Sequence, residues 1–253
     1  NRQQVREVLS ESDAQLAIEL YGISENGNFE HSNILHLPQS LEEYAEQKEM
    51  TMAQLHKRVD IIRKQLYKAR EKREHPIRDD KILTAWNGMM ISTFAEAGML
   101  LNQPRYTRAA IQAAEFIWRH SRSKNGELWR VHLDGSSSIS AQQQDYAYFA
   151  EGLLHVYDTT GDKVWLQRAV ELADSMLERF WDSDNGGFFM NGEAQQLISM
   201  GRPRDGGSDS AMPSGNSVAL RVLQKLVART NNLEYDSKAN ATLTSFARHI
   251  NDN

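Results

Sequence analysis

A repeated pair of helical patterns constrains this chain more than any other feature. Residues 83–101 (LTAWNGMMISTFAEAGMLL) are apolar almost all round, with Glu96 the only charge. Such a stretch predicts a helix buried on more than one side. Residues 105–121 set Tyr106, Ala109, Ala110, Ala113, Phe116 and Ile117 on one face and Arg105, Arg108, Glu115 and Arg119 on the other. That second helix is amphipathic and peripheral. The pair recurs as 145–157 followed by 162–181, and again as 214–228 followed by 234–250. Tyr106, Trp165 and Tyr235 open the three amphipathic helices, 59 and 70 residues apart. The links repeat too. Ser123-Lys124-Asn125-Gly126-Glu127-Leu128-Trp129 matches Ser183-Asp184-Asn185-Gly186-Gly187-Phe188-Phe189, and Asn26-Gly27-Asn28-Phe29 is a weaker echo. Each Asn-Gly predicts a turn within a short β-hairpin.

Buried helices alternating with amphipathic ones predict an all-α toroid of helical hairpins, with buried helices inside and amphipathic ones outside. An open-ended solenoid is the alternative. A ring of six such hairpins needs roughly 350 to 400 residues at this period, so 253 residues read as part of one toroid domain, an incomplete ring. Residues 79–253 supply three hairpins. Residues 1–78 form an upstream segment, with a helix over 51–72, a weaker helical pattern near 5–20 and a long, strongly charged helical stretch over 46–74. The plain reading of that stretch is a solvated helix with spaced charge pairs such as Asp60 with Lys64. The chain begins at Asn1 and stops at Asn253, directly after a helical pattern, so both ends read as cut.

Composition excludes several classes of function. Lys+Arg 29 against Asp+Glu 34 leaves a net charge of −5, which disfavours a polyanion partner such as nucleic acid. With Cys 0, disulfides, thiolate metal sites and cysteine nucleophiles are excluded for these residues. Mean hydropathy is −0.61, and no apolar run approaches the roughly 20 residues that span a bilayer. With no signal peptide visible, the expected location is cytoplasmic.

Polar residues that precede the three buried helices would share one rim of a ring, where helix N-termini present unpaired N–H groups. The segments are 79–88, 142–148 and 208–217. They offer carboxylates (Asp80, Asp145, Asp209), aromatics (Trp86, Tyr146, Tyr148) and small polar groups (Asn87, Ser214, Asn216). Rings stack on the apolar faces of a pyranose, amides and acids bind its hydroxyls, and paired carboxylates can act as acid and base at a glycosidic bond. The expectation is therefore a small-molecule ligand such as a sugar, with Asp80 and Asp145 catalytic and Trp86, Asn87, Tyr146, Asp209, Ser214 and Asn216 binding substrate. The competing expectation is structural, since Asp80, Thr84, Asp145 and Ser214 are also good helix N-caps. No metal-ligand spacing occurs among the eight histidines, and no cofactor motif is present. His155, on a buried helix, is the one candidate proton carrier. Arg202-Pro203-Arg204-Asp205-Gly206-Gly207 reads as a plain loop or as a basic contact over the cavity.

Asp-Asp-Lys-Ile-Leu-Thr-Ala-Trp-Asn-Gly (79–88), Gln-Asp-Tyr-Ala (144–147), Gly-Gly-Phe-Phe (186–189) and Pro-Ser-Gly-Asn-Ser (213–217) together resemble the YyaL family. That family is the bacterial counterpart of the spermatogenesis-associated thioredoxin-like protein of animals. Gly27-Asn28-Phe29-Glu30 and Asn33-Ile34-Leu35 extend the resemblance, which runs from about Tyr21 to Leu226. It implies a six-hairpin glycosidase-like toroid, related to N-acylglucosamine 2-epimerases, with a thioredoxin-like domain of the same parent protein as partner. It assigns no reaction. The epimerases' inner-helix pattern of His followed by Glu-Trp is not matched here. Two readings follow: a carbohydrate-binding or carbohydrate-modifying toroid of hydrolase or isomerase type, and a non-catalytic binding or scaffold domain for the thioredoxin-like module.

Overall fold

In a computed structural model, the described residues are 1–192, 202–204 and 211–251. They divide into two compact units, Asn1–Arg78 and Asp79–Asn253. The first unit holds α1 (Arg2–Val8), α2 (Glu11–Leu20), α3 (Leu41–Gln47) and α4 (Met52–Arg70). They pack around Leu16, Leu20, Ile23, Tyr44, Leu55 and Ile62. The helix expected over 51–72 is α4, while residues 46 and 47 of the charged stretch belong to the end of α3. Ser40 with Glu43 and Thr51 with Gln54 each form a reciprocal capping box, so each starts its own helix. Between them Glu49 takes a left-handed conformation (φ 52°). Ser10 likewise caps α2 and separates it from α1.

The second unit runs β1 (Ile82–Leu83), α5 (Thr84–Leu100), α6 (Pro104–His120), β2 (Trp129–Leu133), β3 (Ser136–Ser140), α7 (Gln143–Thr160), α8 (Lys163–Phe180), α9 (Gly215–Thr230) and α10 (Leu233–Asn251). The three expected helix pairs are present. α5 packs on α6, α7 on α8 and α9 on α10, while α5, α7 and α9 pack side by side. α7, in the middle, buries Gln143, every residue from Asp145 to Leu154, and Val156. α6 and α8 bury one stripe each, Ala110, Ala114 and Ile117 in the first and Trp165, Ala169, Leu172, Ala173, Met176 and Phe180 in the second.

α5 departs from the sequence expectation. Its apolar surface is not buried all round: Trp86, Met90 and Leu100 are 55%, 49% and 70% exposed. The reason lies in its two neighbours. Gly88, Ile91 and Ala95 face α7, and Phe94 and Gly98 meet Tyr106 and Thr107 of α6. The opposite face has no cover among the described residues. Gly88 and Gly152 let the α5 and α7 backbones touch: a Cβ on Gly88 would lie 2.6 Å from the Tyr148 carbonyl carbon, and one on Gly152 would lie 2.9 Å from the Gly88 oxygen.

The Asn-Gly turns form, but each closes a single β-bridge, Arg122 with Leu128 and Trp181 with Phe188. The two-stranded hairpin comes later, where Asp134 and Gly135 both adopt positive φ (49° and 76°), the geometry of a tight primed turn. β1 adds to its edge through Ile82 with His132 and Leu83 with Val131, giving the antiparallel order β1-β2-β3. This sheet sits ahead of α5 and α7 and ties their starts together.

Candidate functional site

The starts of α5, α7 and α9 lie in a row, joined by side chains. Asp145 Oδ1 accepts from the Ala85 amide at the start of α5 (3.1 Å), and Oδ2 accepts from its own cap, the Gln142 amide (2.9 Å), and from Arg130 Nη1 of β2 (3.0 Å). Gln143 Nε2 donates to the Gly215 carbonyl at the start of α9 (3.0 Å), and Tyr148 donates its hydroxyl proton to the Pro213 carbonyl. Thr84 donates to the Trp129 carbonyl (2.6 Å). Of these bonds, the one to the Ala85 amide satisfies an N–H that its helix cannot pair internally.

The candidate residues therefore separate by environment. Asp80 is exposed and Trp86 projects into solvent, while Asn87 is half-buried and donates to the Leu83 carbonyl (2.9 Å). Asp145 is fully buried. Burial pushes its carboxyl upward, against the Arg130 charge and the two backbone N–H groups that hold it down. Asp80 and Asp145 thus do not face one solvent-filled space. Tyr146 is buried, and its hydroxyl accepts from the Leu128 amide (3.0 Å). Asn216 is buried 70 residues on and clasps the equivalent point of the next link: Phe188 N donates to Asn216 Oδ1 (2.8 Å) and Asn216 Nδ2 donates to the Phe188 carbonyl (3.1 Å). Ser214 is buried at the first position before α9 without a capping bond from its side chain to the helix. Asp209 lies outside the described residues.

Two secondary candidates have defined roles. His155 is half-buried, and its Nε2 is bonded to Lys225 Nζ. An ammonium only donates, so the imidazole accepts. This pair is the middle rung of a ladder between α7 and α9, with Arg221 on Glu151 (2.8 and 3.0 Å) and Arg229 on Asp158 on either side. Arg202 and Arg204 turn inward. Arg202 donates to the Arg179 and Asn191 carbonyls, and Arg204 bonds the Gly186 carbonyl and pairs with Asp182 at 3.2 Å. Arg202 ties the end of α8 to Asn191, Arg204 ties the second link to Ser245 of α10, and neither reaches over the rim. No group of three or more His, Asp or Glu among the described residues is arranged to hold a metal ion.

The space between the helix starts is nearly closed: about 10 Å³ remains between Gln142, Gln143, Gln144, Met190 and Gly215. A larger cavity of about 490 Å³ lies beside it, against the first link and the end of α8, lined by Glu127, Trp129, Ser140, Tyr146, Glu178 and Arg179. Of these the sequence reading singled out Tyr146 alone. The rest lie in links and at a helix end, away from the positions that precede buried helices. One signal was legible: the first link carries Glu127 and Trp129 where its repeat carries Gly187 and Phe189.

The chain is 30% identical to human spermatogenesis-associated protein 20 over 265 residues, covering 94% of this chain and 33% of that protein. It is also 30% identical to the Caenorhabditis elegans protein B0495.5 over 234 residues, covering 89% of this chain and 31% of that protein. The chain spans about one third of the length of the curated relatives it matches. No family model matches it. Among solved structures it is similar to cellobiose 2-epimerase from Spirochaeta thermophila (TM-score 0.54, 18% identity, 67% of this chain and 44% of that one). It is also similar to a family 76 glycoside hydrolase α-mannanase from Bacteroides thetaiotaomicron (TM-score 0.56, 17% identity, 68% and 46%). At such identities the likeness is one of fold, and the fold is the (α/α) toroid of six-hairpin glycosidase-like and N-acylglucosamine 2-epimerase-like proteins. No helix among the described residues is long and apolar enough to cross a membrane.

Proposed function

We propose that the Asp79–Asn253 unit is the ligand-facing arc of a carbohydrate-binding or carbohydrate-modifying toroid, of hydrolase or isomerase type. The observation that carries this reading is the rim. Side by side at the helix starts, it presents an exposed aromatic, Trp86, close in sequence to an exposed carboxylate, Asp80, on a fold shared with sugar epimerases and glycosidases. Trp86 would stack on a pyranose face, and Asn87 and Asp80 would meet its hydroxyls. Asp145 has both oxygens in bonds to N–H groups, so in this reading it positions the rim and Asp80 carries the acid or base step. The protein would act in the cytoplasm beside a thioredoxin-like domain of the same parent.

One observation favours the second reading, a non-catalytic binding or scaffold domain: Asp145, Tyr146, Ser214 and Asn216 are all buried. A thermal-shift screen of mono- and disaccharides on the full-length protein separates the two. The carbohydrate reading expects stabilisation by at least one sugar, reduced by Trp86→Ala. It also expects turnover reduced by Asp80→Asn and little change in ligand-free stability, because both side chains are exposed. Stabilisation without turnover supports binding alone. No response to any sugar sinks the reading.

A further inference from the structure

We propose that the 490 Å³ cavity against the first link is a saccharide subsite that takes one neutral pyranose ring and discriminates against uronic acids. This rests on the carbohydrate reading above and adds a second contact region to it. The volume falls within the roughly 300 to 1,000 Å³ usual for small-molecule sites. One wall is Trp129. Its backbone is fixed on both sides, the amide to the Ser121 carbonyl (2.8 Å) and the carbonyl to Thr84, so the indole is carried on a rigid edge. The facing wall is the last turn of α8. There Arg179 donates through Nη1 to Glu127 Oε1 (2.8 Å), while its Nε has no hydrogen-bond partner. Glu178, beside it, is exposed and makes no ion pair among the described residues. An aromatic side chain, a guanidinium and a carboxylate free of ion pairs form the minimal set that a hydroxyl-bearing ring satisfies. Two carboxylates against one guanidinium leave the lining net negative, which opposes a second carboxylate on the ligand.

The fold does not require this chemistry. At the matching positions of the next link stand Gly187, Phe189 and Asn216 in place of Glu127, Trp129 and Tyr146. There a Cβ on Gly187 would already lie 3.1 to 3.2 Å from Arg204, Phe246 and Asn216. The second link is filled, and the first is left open and lined with polar groups.

The test is titration of the full-length protein with methyl β-glucoside and with methyl β-glucuronide. Indole N–H resonances are followed in ¹H–¹⁵N spectra, with Trp86 and Trp129 assigned by substitution to Phe. The proposal expects the Trp129 signal to move with the glucoside. It expects about tenfold weaker binding of the glucuronide, the effect of roughly one like-charge contact in a half-exposed site. Glu178→Gln, an exposed and conservative change, should narrow that ratio, and this readout is insensitive to small losses of stability. If the Trp86 signal moves and the Trp129 signal does not, the subsite is overturned and the rim reading stands. If Trp129 moves and Trp86 does not, the subsite stands and the rim reading falls. If Trp129 moves equally well with both glycosides in the unsubstituted protein, the stated discrimination is overturned. If neither signal moves, both ideas fall.

Discussion

Tyr146 and Asn216 show what polar residues before a buried helix do in this fold. Each reaches back to hold the preceding link, Tyr146 by the amide of Leu128 and Asn216 by both the amide and the carbonyl of Phe188. Removing a buried partner exposes the full desolvation cost of the group left behind, about 1 to 3 kcal/mol. Asn216→Ala should therefore destabilise more than Tyr146→Phe, since it strands two backbone groups against one; urea unfolding of the two variants checks the order. Asp145→Asn should cost about 3 kcal/mol, because the amide NH2 must face N–H donors, either the Ala85 amide or those of Gln142 and Arg130, and the guanidinium loses its counter-charge. In the first unit, Tyr44 donates to Glu19 (3.2 Å), and burial, reinforced by that carboxylate, pushes its phenol from 10.0 to about 12. An acid whose folded pKa is raised gives stability that is whole below the unfolded value and is lost as pH climbs through the folded one. Unfolding followed between pH 10 and 12 should lose that stability, and Tyr44→Phe should flatten the loss over the same window.

At the scale of elements, the decisive contact is the α5–α7 crossing. Gly88→Ala would drive a methyl group against backbone atoms of Tyr148 and Phe149 at 2.6 to 2.7 Å. Backbone cannot rotate away as a side chain can, so the helices must separate, at a cost of about 1 to 3 kcal/mol. Calorimetry of Gly88→Ala and Gly152→Ala, alone and combined, should show non-additive losses, since both substitutions open the same contact. A double variant equal to the sum of the singles would argue that the helices do not touch there. The helix over 51–72 was legible and matches α4, whereas the charged stretch drawn from residue 46 ran across the Thr51 cap into the end of α3. The hairpin was misplaced for a related reason: Asn-Gly marks a turn, but a ladder also needs flanking strands, and those lie around Asp134-Gly135.

At the scale of the molecule, residues 71–81 join the two compact units in a fully exposed segment that contains Lys72, Arg73, Arg78 and Lys81. Trypsin should cut there first, releasing pieces that mass spectrometry assigns to the two units, because exposed backbone outside helices is the preferred site of nicking. A first cut after Arg168, within α8, would contradict the packing described for that helix. The aligned portion of the sugar-enzyme structures is less than half of each chain, so the ring chemistry is to be measured on the full-length protein.

The sequence by itself determined the repeat, the pairing of a buried with an amphipathic helix, and the rim positions. Periodicity and turn residues are local properties, and helices and caps answer to them. Only the tertiary structure decided which rim groups meet solvent. Asp80 and Asp145 look alike as carboxylates ahead of buried helices, yet one is exposed and the other is fully enclosed by Arg130 and two helix ends. That difference depends on a residue in another element, fifteen positions away from Asp145 and on a strand. The cavity beside Trp129 was illegible for the same reason: its walls come from a link, a hairpin and the far end of a later helix, which packing alone brings together.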